Sequence, residues 1–437
     1  MKGFQTILLI FFGILVVVAV LIFSGIIPIG RNNEEQLAQN PITMWGTLTN
    51  EEFKMVNDAA KTAGDFFDIT YTKKSRETIE SELIDALASG VGPDLLLAPH
   101  TLILKQKDKF LPLPYTFLPE RLYRDSFLES TEILLEADNI LAVPAYLDPL
   151  VMYWNRDLFS NAGLANPPLT WTEVQVLPTK LTKLDDKGNI KESAVALGGT
   201  SNIAHFKEIL ISQILQTGNQ IVSISREISA DGLPEIRRDV VLASDDGAES
   251  ALRFYVQFSD PALKKYSWNR ALDNSFEEFT AGRLALYFGL ASELNAIKTR
   301  NPHLNFDVAL VPGIRDGGKR TAYSNVYALA ILKNSKVSQV ASSVAYKMAF
   351  GESAKAFAKV QGLPPARRDL ISKVPADPLI PIFYDSAVVA GTWYDPNSEQ
   401  TRMIFADMVE AVSIGRSDMH SAVTDAETRI SELFRGR

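Results

Sequence analysis

The sequence predicts an α/β protein of two globular units behind a single membrane-spanning helix at the N-terminus. Three observations predict it. Residues 7–29 are an apolar run without one charged side chain, residues 42–98 alternate between strand and helix patterns, and 437 residues exceed what one hydrophobic core usually serves.

The apolar run Ile7 to Ile29 reads ILLIFFGILVVVAVLIFSGIIPI. At ~1.5 Å per helical residue it matches a hydrocarbon core of roughly 30 Å. The apolar stretch of a secretory signal is usually shorter and ends at a small-x-small cleavage site. Here it ends in Ser24-Gly25-Ile26-Ile27-Pro28, so a retained anchor is expected. Lys2 precedes the run, and Arg31, Glu34 and Glu35 follow it. The positive-inside bias then makes residues 1–6 a cytoplasmic tail and leaves the bulk of the chain outside. Residues 30–40 read as a polar linker.

Composition narrows the function classes. Hydrophobic residues at 46% and charged residues at 22% suit a folded chain, and the net charge of −8 argues against nucleic acid as a partner. There is no cysteine. That excludes disulfides, thiolate catalysis, Cys-ligated zinc, iron–sulfur clusters and a lipid-modified N-terminal cysteine.

The elements follow in order. Ile42 to Trp45 reads as a strand. Thr49 and Glu52 form a capping-box pattern ahead of Phe53, Val56, Ala60 and Ala63 at helical spacing. Phe67 to Thr72 alternates as a second strand. Ser75 can cap a helix with Ile79, Leu83 and Leu87 on one face, which Gly90 ends. Leu95 to Ala98 is an unbroken apolar run, as in a buried parallel strand. This β-α-β-α-β opening predicts a parallel sheet with helices on both faces. Ile140 to Pro144 and Val151 to Trp154 read as two strands too close together for a helical crossover, so the chain is expected to pass to its second unit between them. Thr170 and Glu173 suggest a second capping box around Trp171. Further strands are expected at Ala194–Leu197, Leu284–Phe288, Phe306–Val311 and Tyr323–Leu332. Helices are expected at Ile203–Leu215, Ala248–Phe258 and Phe276–Ala281, and over most of the chain from Ser335 onward.

Catalytic patterns are missing. The four histidines, His100, His205, His303 and His420, have no metal-ligand spacing. Neither HExxH nor GxSxG occurs. Gly313-Ile314-Arg315-Asp316-Gly317-Gly318-Lys319-Arg320 resembles a phosphate-binding loop, but Arg320 stands where Ser or Thr should reach Mg²⁺ and a strand follows. A glycine-rich turn between strands is the better reading. Acidic pairs such as Glu51-Glu52 and Asp245-Asp246 fit helix starts. No catalytic residue, metal or cofactor is expected.

Three stretches are more specific. The first is Ser75 to Ser89 running into Gly90-Val91-Gly92-Pro93-Asp94-Leu95-Leu96-Leu97. The second is Val143-Pro144-Ala145-Tyr146-Leu147-Asp148-Pro149-Leu150-Val151-Met152-Tyr153-Trp154-Asn155-Arg156-Asp157-Leu158-Phe159, then Ala162-Gly163-Leu164 and Pro167-Pro168-Leu169-Thr170-Trp171-Thr172-Glu173. The third is Phe279-Thr280-Ala281-Gly282-Arg283-Leu284-Ala285-Leu286, followed later by Phe306-Asp307-Val308-Ala309-Leu310-Val311-Pro312. In this order they resemble the bacterial extracellular solute-binding proteins, specifically the family 1, maltose-binding-like group. The resemblance covers nearly all of residues 41 to 435.

The resemblance implies a two-lobed, periplasmic-binding-protein-like fold of type II, with the ligand in a cleft between lobes that a hinge closes. Lobe 1 would be 41–144 with 274–332, and lobe 2 would be 148–273 with 333–437. The first hinge crossing would be 145–147, with others near Asp273 and Leu332 to Lys336. In α/β sheets ligands sit beyond the carboxyl ends of strands. Trp45, with Thr47 and Asn50 next, is placed there, and so is His100 after the third strand. Many relatives carry an aromatic where this chain has Ala98-Pro99, which argues against a maltodextrin-like ligand. Tyr146 and Asp148 sit at the first crossing, where binding ligand and satisfying the hinge backbone are both open. Tyr153 and Asn155 match the family's Tyr-Asn pair, a structural one, and Trp171 reads as packing. Thr200 and Asn202 lie in a polar loop suited to hydroxyl recognition or to N-capping. Tyr287 ends a strand, and Asn325 precedes another crossing. Trp393 and Tyr394 lie in a loop where the family often has a stacking tryptophan.

The resulting expectation is a single-pass protein of the cell membrane, N-terminus cytoplasmic, that serves as the extracytoplasmic solute-binding receptor of an ABC importer for a carbohydrate. Its partners would be the sugar, the ABC permease subunits and, through residues 7–29, the lipid bilayer. A second reading is a cell-envelope scaffold or adhesion protein that keeps the fold without transport, for which a cleft filled by bulky side chains would speak. A third, a degenerate hydrolase, finds no nucleophile–base motif.

Overall fold

A computed structural model describes residues 41–435 apart from 66, 230, 316 and 319. The expected anchor at 7–29, with its tail and linker, lies outside these residues. Among the described residues no helix is long and apolar enough to cross a membrane.

The strands are β1 (Ile42–Gly46), β2 (Ile69–Lys73), β3 (Leu95–Pro99), β4 (Leu113–Pro114), β5 (Asn139–Ile140), β6 (Val143–Asn155), β7 (Lys183–Leu184), β8 (Ile190–Val195), β9 (Val222–Ile228), β10 (Pro234–Val240), β11 (Leu284–Leu290), β12 (Phe306–Ala309), β13 (Ala322–Ile331) and β14 (Ala390–Gly391). The main sheet runs β2-β1-β3-β13-β6-β11-β8-β7, with β12 also on β6 and β14 on β13.

The opening alternation forms as read. β2, β1 and β3 pair in parallel. The Thr49 hydroxyl accepts from the Glu52 N–H, and the Glu52 carboxylate accepts from the Thr49 N–H, so the capping box starts the helix Asn50–Thr62. That helix buries Phe53, Val56 and Ala60. Gly90, at φ +72, follows the helix Ile79–Ala88 in the left-handed conformation that glycine adopts without strain. The start of that helix differs from expectation. Ser75 accepts instead from the Glu77 N–H, and Thr78 holds the cap position without a side-chain bond.

The larger difference is at the first crossing. Val143 to Asn155 is one strand of 13 residues, all buried, rather than two strands broken at 145–147. Its first part pairs with β13, from Val143↔Leu329 to Pro149↔Ser324. From Leu150 it pairs with β11, and from Met152 also with β12. Pro149 lacks an N–H at the step where the partner changes. Pro144 lies beside a register shift that absorbs Ala145, the kind of bulge that tolerates proline.

The pairing also divides the chain differently from the expected partition. Residues 274–332 are read from sequence as part of lobe 1, yet β11 and β12 pair with β6 beyond the crossing, and β11 pairs with β8. Only β13 leads back to β3. Residues 333–437 are read as lobe 2, yet the helices Ser338–Phe350 and Glu352–Gln361 sit on β6, β13 and the helix Asn50–Thr62. The later helices Ser398–Ser413 and Met419–Arg435 join Phe206–Gln216 and Gly247–Val256. Two through-running strands, β6 and β13, thus tie two α/β halves into one sheet.

An antiparallel ribbon, β9–β10, was not expected. Its turn contains Asp231-Gly232, with Gly232 at φ +80. The ribbon grows from the second half and reaches the first through Arg238–Glu136 (2.6 Å) and Arg226–Glu120 (2.9 Å).

Candidate functional site

A crevice of about 250 Å³ separates the halves. Thr47 from the loop after β1, Arg76 after β2, Thr101 after β3 and the β13 residue Tyr327 line it on one side. Ser398 and Glu399, which open a helix of the other half, line it opposite. The first three follow the carboxyl ends of parallel strands, the usual position for ligand groups in such sheets. Arg76 is an exposed residue whose guanidinium, partly shielded by its neighbours, lies 5.7 Å from the Tyr327 ring centroid and makes no hydrogen bond or ion pair among the described residues. Burial tends to lower its pKa, but Tyr327, Asp148 and Tyr146 outweigh this and raise it, so it stays charged.

Behind the crevice lies a column of buried polar groups. Tyr146 stacks on Tyr327 with centroids 4.7 Å apart and 13° between planes. Asp148 accepts the Ser292 N–H (2.9 Å) through one oxygen, while Oδ2 has no partner, and burial raises its pKa. His100 Nδ1 accepts the Val326 N–H (3.2 Å), which leaves the ring proton on Nε2, also without a partner. Burial and the charge of Lys207 push the His100 pKa down to about 3, so the ring is neutral. The Tyr146 hydroxyl is likewise unpartnered. Buried polar atoms rarely remain so.

Deeper in the second half, Glu293 joins His205 (3.0 Å) and Tyr287 (2.9 Å). Burial alone would lower the His205 pKa, but Glu293 raises it to about 9. The reciprocal effect outweighs burial at Glu293, whose pKa is lowered.

The sequence-selected residues fall into separate places. Thr47 lines the crevice. His100, Tyr146 and Asp148 form the column, and Tyr287 extends it through Glu293. Asn325 accepts from the Tyr323 hydroxyl at 3.0 Å. Trp45 is half-buried beneath Lys74, whose ammonium is 3.8 Å from its centroid. Asn50 is exposed on the first turn of its helix. Thr200 bonds Glu410 (2.9 Å) at the edge of another cavity. Asn202 is saturated by Trp268, Asn269 and Leu272, a loop-holding role. Trp393 and Tyr394 line a third cavity that shares no residue with the crevice.

Arg76, Thr101, Tyr327, Ser398 and Glu399 were missed. Applying the strand-end rule to β2 as well as β1 would have found Arg76, and Thr101 adjoins His100. Nothing in the sequence around Ser398 brings it opposite β1.

The sequence profile of the bacterial extracellular solute-binding proteins matches residues 54–382, more than half of the chain. The chain belongs to that family. This solute-binding protein superposes on the cyclic α-maltosyl-1,6-maltose binding protein of Arthrobacter globiformis with a TM-score of 0.70, over 91% of this chain and 100% of that one, at 16% identity. An ABC transporter solute-binding protein of Thermotoga lettingae bound with α-D-tagatose gives 0.63, over 90% and 100%, at 20% identity. These likenesses establish the two-lobed α/β fold. A Brucella abortus protein named for binding is 26% identical over 196 residues, 44% of this chain and 43% of that protein, so the match spans less than half of the relative's length.

Proposed function

We propose that this protein is the extracytoplasmic receptor of an ABC importer, that its solute is a carbohydrate, and that residues 7–29 hold it in the membrane with the N-terminus inside. The observation that supports it most is the crevice between halves joined by β6 and β13. A solute there meets Arg76, Thr47 and Thr101 on one side and Ser398 and Glu399 on the other. It can favour the approach of the halves only through contacts better made in that state. The Thr47, Thr101 and Ser398 hydroxyls, with the charged groups of Arg76 and Glu399, offer donors and acceptors suited to sugar hydroxyls, and the Tyr327 face offers apolar surface. No bond is made or broken in such a cycle. The related structures of sugar-binding proteins favour the carbohydrate class.

A thermal-shift screen of the full chain in detergent, against sugars, polyols, amino acids and oligopeptides, tests this. A sugar should raise Tm with concentration by mass action, and Arg76→Ala should weaken the response. A response to amino acids or peptides alone would replace the carbohydrate assignment. Anchoring is checked by fractionation: the chain should stay with membranes after an alkaline wash, and a form lacking residues 1–40 should not. One observation favours the scaffold reading. The crevice is smaller than the roughly 300 Å³ at which small-molecule pockets usually begin. A screen without any small-solute response would count against the receptor reading.

A further inference from the structure

We infer that Arg76 and Glu399 pair across the crevice as the halves approach, forming a charge latch that favours the closed state before any solute enters. The inference rests on the proposed closure of the halves and adds to it a device that acts without a solute. Five lining residues carry charge. Three of them are engaged within the first half. Lys105 meets Glu80 at 2.8 Å, Gln106 Nε2 donates to the same Glu80 oxygen (2.8 Å), and Glu77 accepts from the Ser75 hydroxyl. Arg76 and Glu399 remain, one on each half. Neither side chain makes a hydrogen bond or ion pair among the described residues.

Both are exposed residues, so their charged groups can meet a partner that arrives from outside. Both also stand on fixed ground. The Arg76 guanidinium lies over Tyr327, whose ring stacks on Tyr146 of the crossing strand β6. Glu399 is the second residue of the helix Ser398–Ser413. Asn397 caps that helix by accepting the Gln400 N–H (3.2 Å), and the buried Lys207 ammonium holds Ser398 through its carbonyl and hydroxyl oxygens. Movement of the halves therefore carries the two charges with it.

In an open crevice, water and salt screen a guanidinium from a carboxylate on the other side. Approach of the halves removes that water, lowers the local dielectric and brings the arginine fork within reach of both carboxylate oxygens. Because both residues are exposed, neither charge must leave water completely, and the desolvation cost that burdens a buried pair is reduced. The opposed signs also decide against a simpler use of Arg76 as an anion site. An anionic solute would neutralise Arg76 but meet like charge at Glu399, whereas each of these two groups neutralises the other.

The test measures the separation of the halves in the full chain in detergent, with no solute present. The chain has no cysteine, so Asp85→Cys and Met403→Cys supply one spin-label pair. Both positions are exposed, on the helices Ile79–Ala88 of the first half and Ser398–Ser413 of the second. Electron–electron double resonance should show the shorter separation populated roughly two- to fivefold more in this background than after Arg76→Gln or Glu399→Gln, the range that partly exposed pairs reach. The difference should shrink in about 1 M salt. The exchanged pair Arg76→Glu/Glu399→Arg should restore the shorter separation. Equal populations in all variants, an effect of only one of the two single changes, or indifference to salt would overturn the latch. So would an exchanged pair that folds but does not restore closure; if it does not fold, the single changes and the salt dependence decide. No sugar is present, so a chain that binds no sugar can still show the latch, and one that closes only on sugar lacks it.

Discussion

Two buried aspartates, Asp395 and Asp148, stand in opposite conditions. The Asp395 carboxylate meets the Lys207 ammonium at 2.6 Å, with both side chains at 3% exposure or less. Lys207 also donates to Thr401 Oγ1 (2.8 Å) and to Ser398 O and Oγ (3.0 and 3.1 Å). Asp395 Oδ1 accepts from Thr401 and the Asn397 N–H. Donors and acceptors are matched, and the cluster ties the helix Phe206–Gln216 to the start of Ser398–Ser413. Asp148 is held through Ser292, whose backbone N–H donates to one oxygen, while Oδ2 has no hydrogen-bond partner, and burial raises its pKa against the opposing effect of Ser292. It sits on β6, one of the two crossing strands, and is fully buried. A saturated charge pair fixes a local arrangement, whereas an unsaturated carboxyl keeps capacity for a hydroxyl donor.

The largest test of that contrast is Lys207→Met. It strands a buried carboxylate and should cost about 3–5 kcal/mol of stability by urea unfolding. The double change Lys207→Met/Asp395→Leu should recover most of it, because the charge needing a partner is gone. A single-variant cost below ~1 kcal/mol would mean that the cluster opens to water and that the contrast with Asp148 is weaker than its geometry implies.

Next in size is the pH dependence at His205. Its pKa rises from 6.5 unfolded to about 9 folded, because Glu293 outweighs the opposing effect of burial. A raised pKa stabilises fully below the unfolded value and loses that contribution as pH climbs through the folded one. Stability should therefore fall between about pH 6.5 and 9, by at most on the order of 3 kcal/mol. His205→Gln should flatten this limb in chemical unfolding measured across the range. A wild-type curve flat over the same window would show that Glu293 does not hold the imidazolium.

Asp148→Asn is expected to act on binding more than on folding. The amide oxygen can still accept from Ser292, so stability should move by less than ~1 kcal/mol, while affinity for the sugar identified by the thermal screen should drop by ~1.5–3 kcal/mol, the worth of a hydrogen bond to a charged group. Isothermal titration separates the two effects. A large stability loss with unchanged affinity would make Asp148 a hinge-backbone residue, the alternative the sequence leaves open.

Local pattern was legible in the sequence; the assembly of distant segments was not. The capping box at Thr49 and Glu52, the apolar strand Leu95 to Ala98 and the strand pair flanking the glycine-rich turn were readable because their causes lie within a few residues. The β9–β10 ribbon is equally local, with its two strands on either side of Asp231-Gly232. The continuity of β6 was hidden by Pro144 and Pro149, which look like breaks until the bulge and partner change that accommodate them are known. The partition of the halves failed for a different reason. Which strand β11 joins depends on pairing with residues more than a hundred positions away. The Lys207–Asp395 pair spans 188 positions, and no spacing rule reaches it.

The smallest expected effect concerns the ribbon's two ion pairs with the first half, and it refines the same contrast between shielded and open charge. Arg238 and Glu136 are 11% and 16% exposed, and the Arg238 guanidinium also lies 4.1 Å from the Tyr394 ring centroid. Arg226 is 45% exposed opposite Glu120. Water and salt screen the second pair, so Arg226→Ala should change stability by less than ~1 kcal/mol, and by less still in high salt. Arg238→Ala removes a better-shielded pair and a ring contact and should cost more, with weaker salt dependence. Equal costs in low and high salt for both variants would mean that the ribbon's position rests on its backbone and apolar contacts, leaving the charges without a part in holding the halves.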